Sequence, residues 1–176
     1  MIASSIMFVR VMIEVAFVNP ELLSGLWIPI SVMFGGMVAG GWWLWNFTPS
    51  RSGSEKTLEL KNPFQITTAL KFGLLLALIL MLSEGMQEWF GDEGVYVLSI
   101  ASGLMDVDAI TLSLSKMATE DLNHQVAVLG IVLASATNTL IKGAIFAFYV
   151  GIKESIRLIM LITLVAAAGI TTALIL

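Results

Sequence analysis

Six apolar runs, near residues 2–18, 26–45, 66–82, 95–115, 126–149 and 156–176, take up most of this chain. Each approaches the roughly 20 residues that a helix needs to cross the hydrocarbon core of a bilayer. In that core every backbone N–H and C=O must be satisfied within the protein, which leaves the α-helix as the spanning form for single runs of this length. The expected fold is an all-α integral membrane protein, with about six transmembrane helices in one polytopic bundle over residues 1–176. Composition supports this where it decides: 12% of residues are charged, against about 25% in soluble domains. The first run is read as a retained helix. Arg10 and Glu14 interrupt it, and no small-residue cleavage site follows.

Asn19-Pro20-Glu21 marks a tight turn between the first two runs, and 48–62 is the one real linker. Asn62 and Pro63 predict the cap and first turn of the third helix, and 83–94 is a short acidic connection. Gly36 and Gly40 stand in small-xxx-small spacing, which permits close helix approach. Trp42, Trp43 and Trp45 fall where an interfacial aromatic belt belongs. Around the linker lie Arg51, Lys56, Lys61 and Lys71, whereas 83–94 holds four acids and no base. Positive charge favours the inner face, so 48–62 is expected in the cytoplasm, and with six crossings both termini are cytoplasmic at a cell membrane. Lys116 agrees, while Lys153 and Arg157 fall on the opposite side. At an offset of 131, Ala3, Ser4, Ala16, Phe17, Ser24 and Ile28 meet identical residues, six identities in about forty-five positions. That describes a weak internal repeat of the parallel kind some transporters use. The third and fourth runs then lack upstream counterparts.

With no cysteine, disulfides and thiolate metal sites are excluded, and the lone His124 rules out a multi-histidine zinc site within one chain. His124 itself is expected in a solvated loop beside Glu120 and Asp121. A net charge of −4 gives no reason to expect nucleic-acid binding. No phosphate loop, G-x-S-x-G or H-E-x-x-H occurs and no nucleophile–base pair is legible, so neither enzymatic activity nor a cofactor is expected.

The candidate chemistry centres on 102–115, which carries Asp106, Asp108 and Thr111 after Ser102 and Gly103. A carboxylate in a span costs roughly 2.5–3.5 kcal/mol on insertion scales, so such groups face a protein interior or a water-filled cavity. Two residues apart on a helix, the two acids point about 200° from each other. They share a ligand only if the backbone is unwound near Gly103. A divalent cation such as magnesium or manganese suits carboxylate, hydroxyl and carbonyl oxygens as transported substrate, with Ser99, Ser102 and Thr111 as added ligands. Alternatively, an aspartate simply caps a following helix. In the fifth run Asn138 and Lys142 share a face that Ser135 flanks, and Lys142 is expected to find its counter-charge in Asp106 or Asp108. Arg10 and Glu14, four apart, form either a self-neutralised pair or a second acid on a translocation path.

Several stretches carry a family resemblance. They are Phe8-Val9-Arg10 with Val18-Asn19-Pro20-Glu21-Leu22-Leu23, Asn62-Pro63-Phe64 with Ala69-Leu70-Lys71-Phe72-Gly73, Gln87-Glu88-Trp89-Phe90-Gly91-Asp92, and Ser102-Gly103-Leu104 with Asp106-Val107-Asp108-Ala109-Ile110-Thr111. Together they resemble the later part of the C-terminal membrane domain, of unknown function, of bacterial and archaeal MgtC/SapB-like proteins. Members of that family usually carry further helices ahead of the point where this chain begins. The resemblance implies a cell-membrane protein concerned with ion handling, its activity open.

Two functions fit these residues. One is a secondary transporter or channel-like protein for an ion, divalent or proton-coupled, or for a small solute. The other is a non-transporting membrane subunit whose buried charges act as interhelical glue. The glycines at 35, 36, 40 and 41 favour assembly in the bilayer, as a homo-oligomer or with another membrane segment.

Overall fold

The computed structural model describes residues 2–47 and 66–175, and these are helical almost throughout. In order they form α1 (Ile2–Val18), α2 (Leu23–Phe47), α3 (Ile66–Gly103), α4 (Val107–Met117), α5 (His124–Val150) and α6 (Ile152–Ile175). Among the described residues, four stretches are long and apolar enough, by length and composition, to cross a membrane: Pro20–Leu44, Gly73–Gly103, His124–Val150 and Ser155–Ile175. At 17 residues α1 falls just short of that length, and α4, at 11, far short. The expected linker 48–62 and the helix start at Asn62 and Pro63 lie outside the described residues.

Local chemistry sets the turns. Asn19 leaves the helical region (φ −146, ψ 87) ahead of a short 3-10 turn, Pro20–Leu22, whose proline loses no N–H that a helix start needs. Gly151, at φ 107, lets α5 and α6 reverse with a single intervening residue. Gly91 breaks α3 at φ 61, ψ −147. A Cβ placed on Gly94 would collide with the Met86 carbonyl. In a straight helix residues eight apart stand about 12 Å apart along the axis, so the chain doubles back at Gly91. The connection expected over 83–94 is thus a one-residue break between two helical arms.

Close contacts give the helix directions. Gly36 approaches Val165, Gly40 meets Leu161 and Gly169 meets Met33, so α2 and α6 run antiparallel. The small-xxx-small pair is therefore used within the chain, which removes it as an argument for assembly. Arg10 pairs with Asp108, and Asn19 Nδ2 donates to the Ser115 carbonyl at 3.4 Å, so α1 and α4 run parallel. Leu114 and Ser99 both lie against Gly130, and Gly103 lies against Ala134. The second arm of α3 therefore descends alongside α5, and α4 climbs back.

Residues 92–117 thus form a helical hairpin whose tip is Leu104, Met105 and Asp106. At 1.5 Å per residue its arms are roughly 18 and 17 Å long, too short for a core of about 30 Å. The run expected to cross as one helix, 95–115, instead breaks at 104–106 and turns back on itself. Hydrophobic residues fix the hairpin in place, with Ile110 and Leu114 of α4 buried together with Phe8 and Val11 of α1 and Ile131 of α5.

Two consequences follow for the overall layout. The pairs α1–α2 and α5–α6 point in opposite directions, so the parallel repeat at offset 131 does not match the helix directions. Residues 2 and 175 also lie at opposite ends of the bundle, which departs from the expectation of both termini on one face. His124, expected in a solvated loop, opens α5 with Nε2 3.2 Å from the Ala118 carbonyl.

Candidate functional site

The hairpin tip is built from its own backbone outward. The Ser102 carbonyl ends α3, accepting from Met105 N at 2.9 Å and Asp106 N at 2.8 Å. Asp106 then turns extended (φ −150, ψ 133), and its side chain accepts from Asp108 N at 3.2 Å as the N-cap of α4. That oxygen satisfies one of the free N–H groups every helix start presents, and its charge suits the positive end of the helix dipole. The tip is tied to α5 by Asn138, whose Nδ2 donates to the Gly103 carbonyl at 2.9 Å. Asn138 is the fifteenth of 27 residues in α5, so the tie lies at mid-length.

Asp108, in the first turn of α4, is buried and pairs with the Arg10 guanidinium of α1. Arg10 Nε also lies 3.7 Å from Glu14 Oε1. One guanidinium therefore serves two carboxylates. Lys142 turns its ammonium to the Met7 sulfur, 3.5 Å away, and makes no ion pair within 4 Å among the described residues. The counter-charge of Asp108 is thus Arg10, where the shared face of the fifth run had pointed to Lys142.

The backbone is indeed unwound just past Gly103, but the two acids take separate tasks. Asp106 caps and faces a cavity; Asp108 sits behind it, holding Arg10. The cavity is about 220 Å³, and Arg10, Asp106, Asn138 and Lys142 line it together with Met7 and Met105. Ser102, Thr111 and Ser135 are buried nearby without lining it. Glu14 Oε2, Asp108 Oδ1, Thr111 Oγ1, Ser135 Oγ and Asn138 Oδ1 are buried with no hydrogen-bond partner. Among the described residues no group of three or more His, Cys, Asp or Glu is arranged to hold a metal ion. With a guanidinium and an ammonium beside the capping Asp106 carboxylate and an amide, the cavity suits a small polar species that both donates and accepts hydrogen bonds.

Two features escaped the sequence reading. Gly103 matters as a packing residue: a Cβ there would lie 2.5 Å from the Ala134 carbonyl oxygen and 3.0 Å from Ala134 Cα. The signal was a glycine three residues before a capping aspartate. Met7, one of ten methionines in the chain, carries no sequence signal of its own, and only the fold brings it to Lys142.

Comparison with known proteins gives a family model, described as a domain of unknown function (DUF4010), that matches residues 1–151. An uncharacterized protein of Aquifex aeolicus (strain VF5) is 39% identical over 121 residues, which is 68% of this chain and 52% of that protein. The chain spans about half the length of this curated relative. No solved structure matches. A domain of unknown function is what the motifs had implied; nothing in these matches ties the chain to MgtC/SapB-like proteins.

Proposed function

We propose, for a chain that belongs to the family of the domain of unknown function DUF4010, that it moves a small polar solute or ion across the cell membrane through the hairpin-tip cavity. The observation that carries this reading is the broken hairpin itself. Its unwound tip meets a cavity lined by Arg10, Asp106, Asn138 and Lys142 midway along the bundle. Non-helical backbone at membrane depth is tolerated where it is buried or lines a water-filled cavity, and transporters place binding sites at such breaks. Two fixed cations in the lining oppose magnesium or manganese, so a proton moving with a small polar solute is the better cargo.

The hairpin also brings the charges into order. With 92–117 entering and returning, Lys153 and Arg157 emerge at the end of the bundle where α2 finishes and α3 begins. Glu21, Glu88, Asp92, Glu93, Glu120 and Asp121 gather at the other end, with Lys116. The positive-inside rule then makes the linker end cytoplasmic and the end of α6 external. A cysteine-free chain makes the check direct. Glu120→Cys in intact cells is expected to react with a membrane-impermeant thiol reagent, as is the control Asp92→Cys, while Ser54→Cys is protected. Protection of the cysteine at 120 restores the six-crossing layout.

Transport itself is tested in vesicles. Asp108→Asn and Asn138→Ala are expected to lower flux at least tenfold while leaving expression and elution volume intact, in line with removal of a positioned group. Wild-type flux in both variants, or no flux of protons, cations or small polar solutes in the parent, removes the transport reading. A second reading then stands, that of an assembly subunit. It is favoured by Arg10, whose side chain is 56% exposed near the middle of α1. Any part of that exposure that meets lipid rather than the cavity Arg10 lines would cost roughly 2.5–3.5 kcal/mol, which a neighbouring membrane segment would remove. On this reading the protein leaves the membrane as a defined oligomer or with a partner.

A further inference from the structure

We propose that the interface between α1 and α4 is a proton path, with Glu14 and Asp108 as its acid relays. It leads from the hairpin tip to the end of the bundle where α1 finishes. This deepens the transport proposal by naming the coupling ion, and its main test does not depend on observing flux.

The two helices run parallel and are pinned at both ends of the seam, by Arg10 to Asp108 and by Asn19 to the Ser115 carbonyl at 3.4 Å. Between the pins, Asp108, Thr111 and Ser115 fall at i, i+3 and i+7, one stripe of α4. Glu14 stands one turn beyond Arg10 on α1, at the level the register gives to Thr111. Every one of these four side chains holds a buried polar atom without a hydrogen-bond partner: Glu14 Oε2, Asp108 Oδ1, Thr111 Oγ1 and Ser115 Oγ. Seven such atoms occur among the described residues, and four of them lie in this seam. An unsatisfied buried polar group carries its full desolvation penalty, so a cluster of four on facing stripes is expensive unless exchangeable protons and water complete it.

Charge points the same way. Facing Glu14 are Asp108 and Asp106 on the hairpin and Arg10 on its own helix; Lys142 of α5 faces Arg10 and the two hairpin acids instead. Arg10 serves both Glu14 and Asp108, leaving that cluster one negative charge from neutral, and a single proton balances it. Relay groups a turn apart stand about 5 Å from each other along the axis, a gap one bridging water closes. A proton arriving past Ser115 and Thr111 binds the Glu14 carboxylate and makes the neutral acid. Transfer to the Asp108 carboxylate regenerates the Glu14 anion, and release into the cavity restores the starting state. Only O–H bonds form and break, and Arg10 stays protonated throughout.

Infrared spectroscopy of the protein in lipid vesicles tests this. The expected result is a carbonyl band of a protonated carboxylic acid that fades as pH is raised and shifts in D₂O. Glu14→Gln and Asp108→Asn, both near-isosteric, should each remove or move it. Thr111→Val should keep the band but slow its deuterium exchange on the order of a hundredfold, the low end of what a positioned proton-transfer group contributes. The proposal is overturned by the absence of a titrating band, by one that neither acid variant changes, or by wild-type exchange in Thr111→Val. A normal band without flux for any solute leaves the proton path standing and defeats the transport reading alone.

Discussion

Arg10→Met is expected to destabilise the bundle by about 3 kcal/mol, the low end of what removing one partner of a buried ion pair costs. The low end applies because the Arg10 side chain is 56% exposed while Asp108 is 12% exposed. What the substitution removes is the one cation that Asp108 and Glu14 share, leaving two carboxylates in a low-dielectric seam with Lys142 turned to Met7. Asp108→Asn is milder, since the guanidinium it frees can still reach Glu14 and the open side of the cavity. The Arg10→Met/Asp108→Asn pair should then be more stable than Arg10→Met alone, a non-additivity that contact residues show and distant ones do not. Thermal unfolding in detergent, followed by the folded fraction recovered, measures all three proteins. Equal stability of Arg10→Met and the parent, or simple additivity in the double variant, would show that the pair does not hold α1 to the hairpin.

The all-helical membrane character was open to sequence reasoning because hydropathy in runs of this length admits few alternatives. Direction was not. The run 95–115 scores as one span since Leu104 and Met105 at the reversal are themselves apolar, so a sliding window does not register a three-residue tip. The cues were nonetheless present: Gly103, then an aspartate at the N-cap position, then an amphipathic stretch with Asp108, Thr111 and Ser115 on one stripe. The misassigned counter-charge has the same origin. Lys142 shares a face with Asn138, and Asn138 does reach the hairpin. Which cation reaches Asp108, however, depends on α1 running parallel to α4, and no local pattern encodes that. Lys153 and Arg157, which disagree with a six-crossing orientation, are the sequence cue that fits a hairpin at 92–117.

Gly103→Val is expected to displace the hairpin tip and, on the transport proposal, to abolish flux through the cavity. Even a single Cβ at this position lies 2.5 Å from the Ala134 carbonyl oxygen and 3.0 Å from its Cα. These are backbone atoms of a helix that also packs against α6, so they cannot yield as a side-chain end would. The tip must move instead, and with it goes the bond from Asn138 Nδ2 to the Gly103 carbonyl, now 2.9 Å. Overpacking of this kind costs about 1–3 kcal/mol, and the lost hydrogen bond adds roughly 0.5–1.5 kcal/mol. Asn138→Ala removes the bond but leaves the close approach, so it should cost less stability than Gly103→Val. Gly103→Ala should fall between them. The comparison separates two roles for the tip. If it only closes the bundle, activity will track stability across the three variants. If the unwound backbone shapes the site, Gly103→Ala will lose flux while most of the protein remains folded, because an ångström-scale shift at a binding site is enough to lose a hundredfold in rate or more. Undiminished stability in Gly103→Val would mean that the hairpin does not lie against α5 as described.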